Sequence, residues 1–242
     1  MKKILSAMRR AIQDYDMIQP GDRIAVGVSG GKDSLTLLCA LAEFRKFSKV
    51  PFDVVGITLN MGFEGVDYSE VAALCRELGV EYVVKNTDIA DILFNIRKEK
   101  NPCSLCAKMR RGAVNDLAAE HGCRKVALGH HNEDVIETFF LSLFYEGRLN
   151  CFSPVTYLSR TDMNVIRPLI YVAEGDIKGY ARRAGLPVVH NPCPMDGFSK
   201  RQDMKDFING KSVNDHSFKK RMMHAIQTGL DDWKVKEDGC KC

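Results

Sequence analysis

Apolar and polar positions follow two rhythms along this chain. Residues 23–29 (RIAVGVS), 52–60 (FDVVGITLN), 81–87 (EYVVKNT) and 125–130 (KVALGH) are short runs rich in Val and Ile without strict alternation. Such runs predict strands of a parallel sheet covered on both faces. Between them, apolar residues recur every three or four positions in 35–47, 67–78, 89–99 and 105–122, with GDRI and HGCRK as punctuation. This is the pattern of helices packed on a sheet. Strand and helix take turns, so the expected class is α/β with a doubly wound, mostly parallel sheet. After Gly147 the rhythm changes to a loop, a short strand in 164–170 (NVIRPLI), a helix over 173–185 and a basic helical C-terminus. No internal repeat or low-complexity linker interrupts the chain. The expected organisation is an N-terminal helix over 1–19, a main unit over 20–210, and a basic helical end with a polar tail over 211–242.

Composition narrows the class. With 242 residues, 45% of them hydrophobic and 27% charged, the chain can bury one good core with modest appendages. No run approaches the roughly eighteen apolar residues of a membrane span. The start (MKKILSAMRRAIQDYDMI) breaks its apolar run with charges every few residues, unlike a signal peptide. A cytoplasmic protein without a membrane partner is expected. The net charge of +4 does not by itself announce nucleic acid. Its distribution says more: residues 200–221 hold seven basic and three acidic side chains, and the first ten residues hold four basic and none acidic.

Nine cysteines without a secretory signal point to metal or thiol chemistry rather than disulfides. Cys39, Cys75 and Cys123 lie in or beside apolar runs and read as small buried hydrophobes. Cys151 has no partner at ligand spacing, and Cys240 and Cys242 sit in a polar tail.

The stretch VGVSGGKDSL (26–35) carries the clearest chemistry. Gly30 and Gly31 let the backbone approach an anion, and Ser29, Lys32 and Ser34 surround them where a strand turns into a helix. A Walker loop would need glycine at Val26 and a hydroxyl directly after the lysine. Asp33 stands there instead. A carboxylate beside polyphosphate calls for Mg²⁺ between them. A magnesium–pyrophosphate unit is a good leaving group, so ATP is expected to break at its α–β bond and pass AMP to an acceptor. The plain alternative is an ordinary glycine-rich turn.

Cys103 and Cys106, two residues apart at a helix start, form a pair whose sulfurs can meet one metal; Cys193, among prolines ahead of a basic helix, is the best third ligand. Three thiolates suit a [4Fe–4S] cluster with one open iron, whereas His190 would complete a Cys₃His zinc site. Both stay open on the residues alone.

SGGKDS resembles the signature of the PP-loop ATP pyrophosphatases, and ITLN (57–60), GHHNEDVIET (129–138) and IRPL (166–169) also match. CSLCAKMRRG, then GHHNED, IRPL, and a cysteine eight residues ahead of Arg201-Gln202 are closely similar to the tRNA 2-thiocytidine synthetase (TtcA) family. The resemblance implies an ATP-dependent tRNA thiolase acting on an anticodon-loop cytidine, tRNA position 32. It implies a [4Fe–4S] cluster on Cys103, Cys106 and Cys193 that carries the sulfur, and nucleotide contacts from Thr58 and Asn60. Arg110, four residues after Cys106, would stabilise the adenylate, and Arg167 would hold a phosphate. Gly129 would admit the nucleotide beside its bare backbone. Asp134 would hold magnesium or shuttle a proton, with Glu137 as the alternative, while His130 and His131 read as structural. The family pattern has a cysteine where His190 stands, which bears on the tRNA target. Implied partners are tRNA and a sulfur donor such as a cysteine desulfurase or sulfide; a homodimer stays open. Competing functions are uridine thiolation, lysidine-synthetase-like amination of cytidine, and nucleotide binding by an iron–sulfur protein without catalysis.

Overall fold

The computed structural model describes residues 1–98, 102–195 and 200–235. Its centre is a six-stranded sheet of order β3-β2-β1-β4-β6-β5. The strands are β1 (Asp22–Gly27), β2 (Phe52–Asn60), β3 (Glu81–Asn86), β4 (Lys125–Ala127), β5 (Val155–Leu158) and β6 (Met163–Ile166). β1 pairs in parallel with both β2 and β4, and β4 with β6. The order of connection therefore reverses between β1 and β4, the place where such sheets open a crevice for ligands.

The helices are α1 (Lys2–Asp14), α2 (Lys32–Arg45), α3 (Ser69–Glu77), α4 (Ile89–Asp91, continuing as π-type turns through Ile96), α5 (Pro102–Glu120), α6 (Asn132–Leu141, continuing likewise through Glu146), α7 (Glu174–Arg183), α8 (Lys200–Asn214) and α9 (Phe218–Gly229). Successive strand residues point to opposite faces. Ile24 and Val26 enter a large core with residues of α1, α2, α7 and α9, whereas Ala25 enters a smaller one with Leu117 and Ala118 of α5. α2 is buried from Ser34 through Ala42, which explains its apolar residues on every side.

Three sequence expectations need adjustment. The loop expected after Gly147 contains β5, which pairs antiparallel with β6 as a hairpin; its alternation Val-Thr-Tyr-Leu is too short to separate from a loop. The strand expected over 164–170 ends at Ile166, before the ring of Pro168 removes a donor. The strand expected to run to residue 130 stops at Ala127, because Gly129 turns against α2.

The terminal helices share the large core. Ile4 and Met8 of α1 and Met223 and Ile226 of α9 are buried there beside Trp233, which is fully buried. The Trp233 indole donates to the Phe152 carbonyl at 3.1 Å, and the Tyr15 hydroxyl donates to the Trp233 carbonyl at 3.0 Å. No helix among the described residues is long and apolar enough to cross a membrane.

Candidate functional site

The β1–α2 loop is built from its own hydroxyls. Ser34 Oγ accepts from the Ser29 amide at 3.1 Å and donates to the Gly31 carbonyl at 3.0 Å, while Ser29 Oγ lies 3.1 Å from Ser34 Oγ. Gly30 has φ +82°, open to glycine with little strain. The first amides of α2 then face the crevice with the positive end of the helix dipole. Gly129 is required for a packing reason: a Cβ there would lie 3.0 Å from Asp33 C and O and from Ser34 N. Its bare backbone admits the start of α2.

Below the loop, the Thr58 hydroxyl donates to the Val28 carbonyl and accepts from the Tyr82 hydroxyl, each at 2.7 Å. Asn60 accepts from the Gly62 amide and donates to Asn86, both at 3.1 Å. Both residues thus fix the end of β2 beside the crevice.

The acidic residues converge on one histidine. His131 Nε2 lies 3.8 Å from Asp33 Oδ1 and 3.5 Å from Asp134 Oδ2, and its Nδ1 lies 3.5 Å from Glu133 Oε2. Burial would lower the His131 pKa, but these carboxylates outweigh it and raise it. Asp33 splits its roles: Oδ2 accepts from Lys32 at 2.8 Å, while Oδ1 is buried with no hydrogen-bond partner. That orphaned oxygen fits a divalent cation, since a buried carboxylate oxygen without a partner is costly. Asp134 is more occupied, accepting from the His131 amide at 2.9 Å as the cap of its own helix and from Arg201 at 3.2 Å. His130 is pushed down to about 4 by burial with Arg167 nearby, and its ring lies tilted against Phe152, 4.8 Å between centroids.

Burial would raise Glu133, but His131, the Glu174 amide and Lys219 hold it at about 2. Glu133 accepts from the Glu174 amide at 2.8 Å and so caps α7. Glu174 in turn gathers three lysines: Lys32 at 3.4 Å, and Lys205 and Lys178 at 3.0 Å. Glu137, buried beside Asp134, has its pKa raised by burial while Arg201 pulls it back. Arg201, Lys205 and Lys219 therefore turn inward onto carboxylates of α6 and α7. Sequence reasoning read them as surface charge available to tRNA phosphates, and missed Glu133 and Glu174, because their partners are remote in the chain.

Arg167 is buried, its pKa lowered to about 10 by burial. It donates to the Ser153 carbonyl at 2.6 Å and Thr156 Oγ1 at 3.0 Å, with its guanidinium over the Phe152 ring. These contacts tie the β5–β6 hairpin to the loop before it.

The cysteines separate into two sets. Cys39, Cys75, Cys123 and Cys151 are buried, whereas Cys103 is exposed and Cys106 and Cys193 are half-buried. Cys240 and Cys242 lie outside the described residues. Cys103 and Cys106 stand on the first turns of α5. Burial pushes the Cys106 thiol up, the neighbouring Arg110 pulls it back, and the Cys193 and Cys103 thiols add to the rise. Arg110 also acts on Tyr68, whose ring would be 3.6 Å from a Cβ on Gly30. The Cys193 segment reaches the same loop, since the Val189 amide donates to the Gly30 carbonyl at 3.0 Å and a Cβ on Gly30 would come within 2.8 Å of Val189. Among the described residues no group of three or more His, Cys, Asp or Glu is arranged to hold a metal ion. The donor set nevertheless fits a cluster: three accessible thiols, two from one helix turn, beside a cation that favours thiolate.

The sequence matches the PP-loop domain family over residues 2–208. It is 38% identical over 231 residues to the tRNA-cytidine(32) 2-sulfurtransferase of Geobacter sulfurreducens, covering 93% of this chain and 89% of that one. It is 38% identical over 261 residues to the protein of the same name from Anaeromyxobacter dehalogenans, covering 98% of this chain and 89% of that one. Among solved structures, the U34-tRNA thiolase NcsA from Methanococcus maripaludis, determined with its [4Fe-4S] cluster, is similar in fold with a TM-score of 0.76, covering 98% of this chain and 80% of that one at 24% identity.

Proposed function

The chain belongs to the tRNA-cytidine(32) 2-sulfurtransferase family of PP-loop proteins, and from that premise we propose how its residues share the work of an ATP-dependent tRNA thiolase. The observation that carries the reading is the hydrogen bond from Val189 to Gly30. It sets the Cys193 segment against the ATP loop, so that activation and sulfur delivery meet at one base.

Ser29, Gly30, Gly31, Lys32 and Ser34 cradle the phosphates, with Thr58 and Asn60 fixing the floor. The cytidine 2-oxygen attacks the α-phosphorus; its new bond to phosphorus forms as the α–β bridge breaks, and pyrophosphate leaves with the electron pair. Asp33, through its unpartnered oxygen, would hold magnesium, with Asp134 joining once Arg201 is displaced. Arg110, between Cys106 and the loop, stabilises charge on the adenylated base. Sulfur then attacks C2 and AMP departs with the former base oxygen. Cys103, Cys106 and Cys193 would hold the [4Fe–4S] cluster, which when bound supplies an open iron for sulfur chemistry. Arg167, tied to the hairpin, supports the wall of the crevice. The target base must leave its stack to be reached, which suits a single-stranded loop. The reaction belongs in the cytoplasm with its tRNA, and a cysteine desulfurase or free sulfide would supply sulfur.

The test is anaerobic incubation of reconstituted protein with unmodified tRNA, ATP, magnesium and sulfide, followed by mass spectrometry of nucleosides. The expected product is 2-thiocytidine, with AMP and pyrophosphate formed in equal amounts. Appearance of 2-thiouridine or lysidine would redirect the reading. Colourless protein holding stoichiometric zinc would favour the Cys₃His site.

A further inference from the structure

Lys32 reaches both Asp33 of the loop at 2.8 Å and Glu174 of α7 at 3.4 Å, and borders an open depression of about 410 Å³ lined also by Lys178, Ala181, Arg182, Leu186 and Val188. Glu174, Lys178 and Arg182 are spaced four residues apart and so form a stripe on one face of α7. Glu174 is 8% exposed and takes all three of Lys32, Lys178 and Lys205 within 3.4 Å. The Arg182 side chain is exposed and makes no hydrogen bond or ion pair among the described residues. Three cations, Lys32, Lys178 and Arg182, thus line a depression beside the phosphate-binding loop, with no carboxylate among its lining residues. A protein surface gathers uncompensated positive charge in a cleft where an anion is to be received.

We infer that this depression is the exit subsite for the leaving pyrophosphate, with Lys178 and Arg182 as its ligands beyond Lys32. The inference rests on the proposed adenylation step, in which the α–β bridge breaks and the pyrophosphate carries away the electron pair. Lys32 lies on the boundary between loop and depression, so the departing phosphates keep one ligand while acquiring two. The apolar floor of Ala181, Leu186 and Val188 offers no donors, which leaves the anion held by charge and free to depart. A stretch of RNA backbone would ask for cations strung along a longer path; here Lys178 and Arg182 border the same open depression as the ATP-loop lysine.

Direct titration of Mg-pyrophosphate into the full-length protein tests this without requiring thiolation. Lys178→Ala with Arg182→Ala is expected to weaken pyrophosphate binding at least tenfold and to raise the concentration of pyrophosphate needed for product inhibition, with ATP affinity changing much less. The charge-keeping pair Lys178→Arg with Arg182→Lys should retain binding and guards against a folding defect. Unchanged pyrophosphate affinity in the alanine pair, or no measurable binding by the parent protein, overturns the inference. Loss of tRNA affinity and a lower salt slope in the alanine pair, with pyrophosphate binding intact, also overturns it and assigns the cations to RNA. If the parent yields no 2-thiocytidine yet the alanine pair still loses pyrophosphate binding, the adenylation reading fails while the subsite stands.

Discussion

In the proposed mechanism, Asp33 is the residue at which a single side chain decides the chemistry. One of its oxygens is tied to Lys32 and the other has no hydrogen-bond partner, only the His131 ring 3.8 Å away, so it contributes little to the fold. Asp33→Asn is expected to leave the thermal midpoint nearly unchanged. Turnover should fall about a hundredfold or more and ATP affinity should lose most of its magnesium dependence, both readable by calorimetry and product assay. Asp33 was legible because it interrupts a known loop pattern. Glu174 was not, since nothing near it in sequence announces its three lysines. Burial alone would raise its carboxyl, but Lys205, Lys178 and Lys32 hold it at about 2 against an ordinary 4.5. Its stabilising contribution is therefore complete above pH 4.5 and lost as pH falls from there toward 2. Glu174→Gln should cost about 1–3 kcal/mol at pH 7 and remove that part of the acid sensitivity, as urea titrations across this range would show.

At the scale of elements, the junction of α2 with the end of β4 is tight enough to predict a cost. Gly129→Ala places a methyl 3.0 Å from the backbone of Asp33 and Ser34, atoms that cannot rotate away. The expected loss is about 1–3 kcal/mol, with weakened ATP binding because the first turn of α2 shifts. A variant with wild-type melting and ATP affinity would disprove the packing role. The strands β1 to β3 and helices α2, α3 and α5 were readable from apolar rhythm because burial on a sheet imposes it. β5 escaped because an edge strand of four residues buries too little to leave a pattern. The docking of α8 escaped for another reason: its basic residues look solvated until α6 and α7 place carboxylates opposite them. The candidate ATP loop and the three accessible cysteines were legible, but their adjacency through Val189 depends on tertiary structure.

Across the whole molecule, the two ends close on one another through Trp233. Trp233→Ala should remove about 3–5 kcal/mol, measured by denaturant unfolding, and loosen α1 and α9 together. The same closure leaves Lys2, Lys3 and Arg9 exposed on α1 and Lys220 exposed on α9, whereas Arg201, Lys205 and Lys219 are engaged inward. Reversing the four outward charges is expected to weaken tRNA binding and to lower its salt slope by about one unit per lost phosphate contact; an unchanged slope in filter binding would mean that they are only hydrated. The bond between Gly30 and Val189 also orders events during synthesis. At about 5–20 residues per second, a ribosome releases Gly30 roughly 8–30 seconds before its partner. For about 4–17 seconds of that synthesis the nascent chain carries Cys103 and Cys106 without Cys193. A cluster held by all three proposed thiolates must await Cys193, so ribosome-bound chains stalled ahead of it are expected to stay colourless in extracts that load the finished protein.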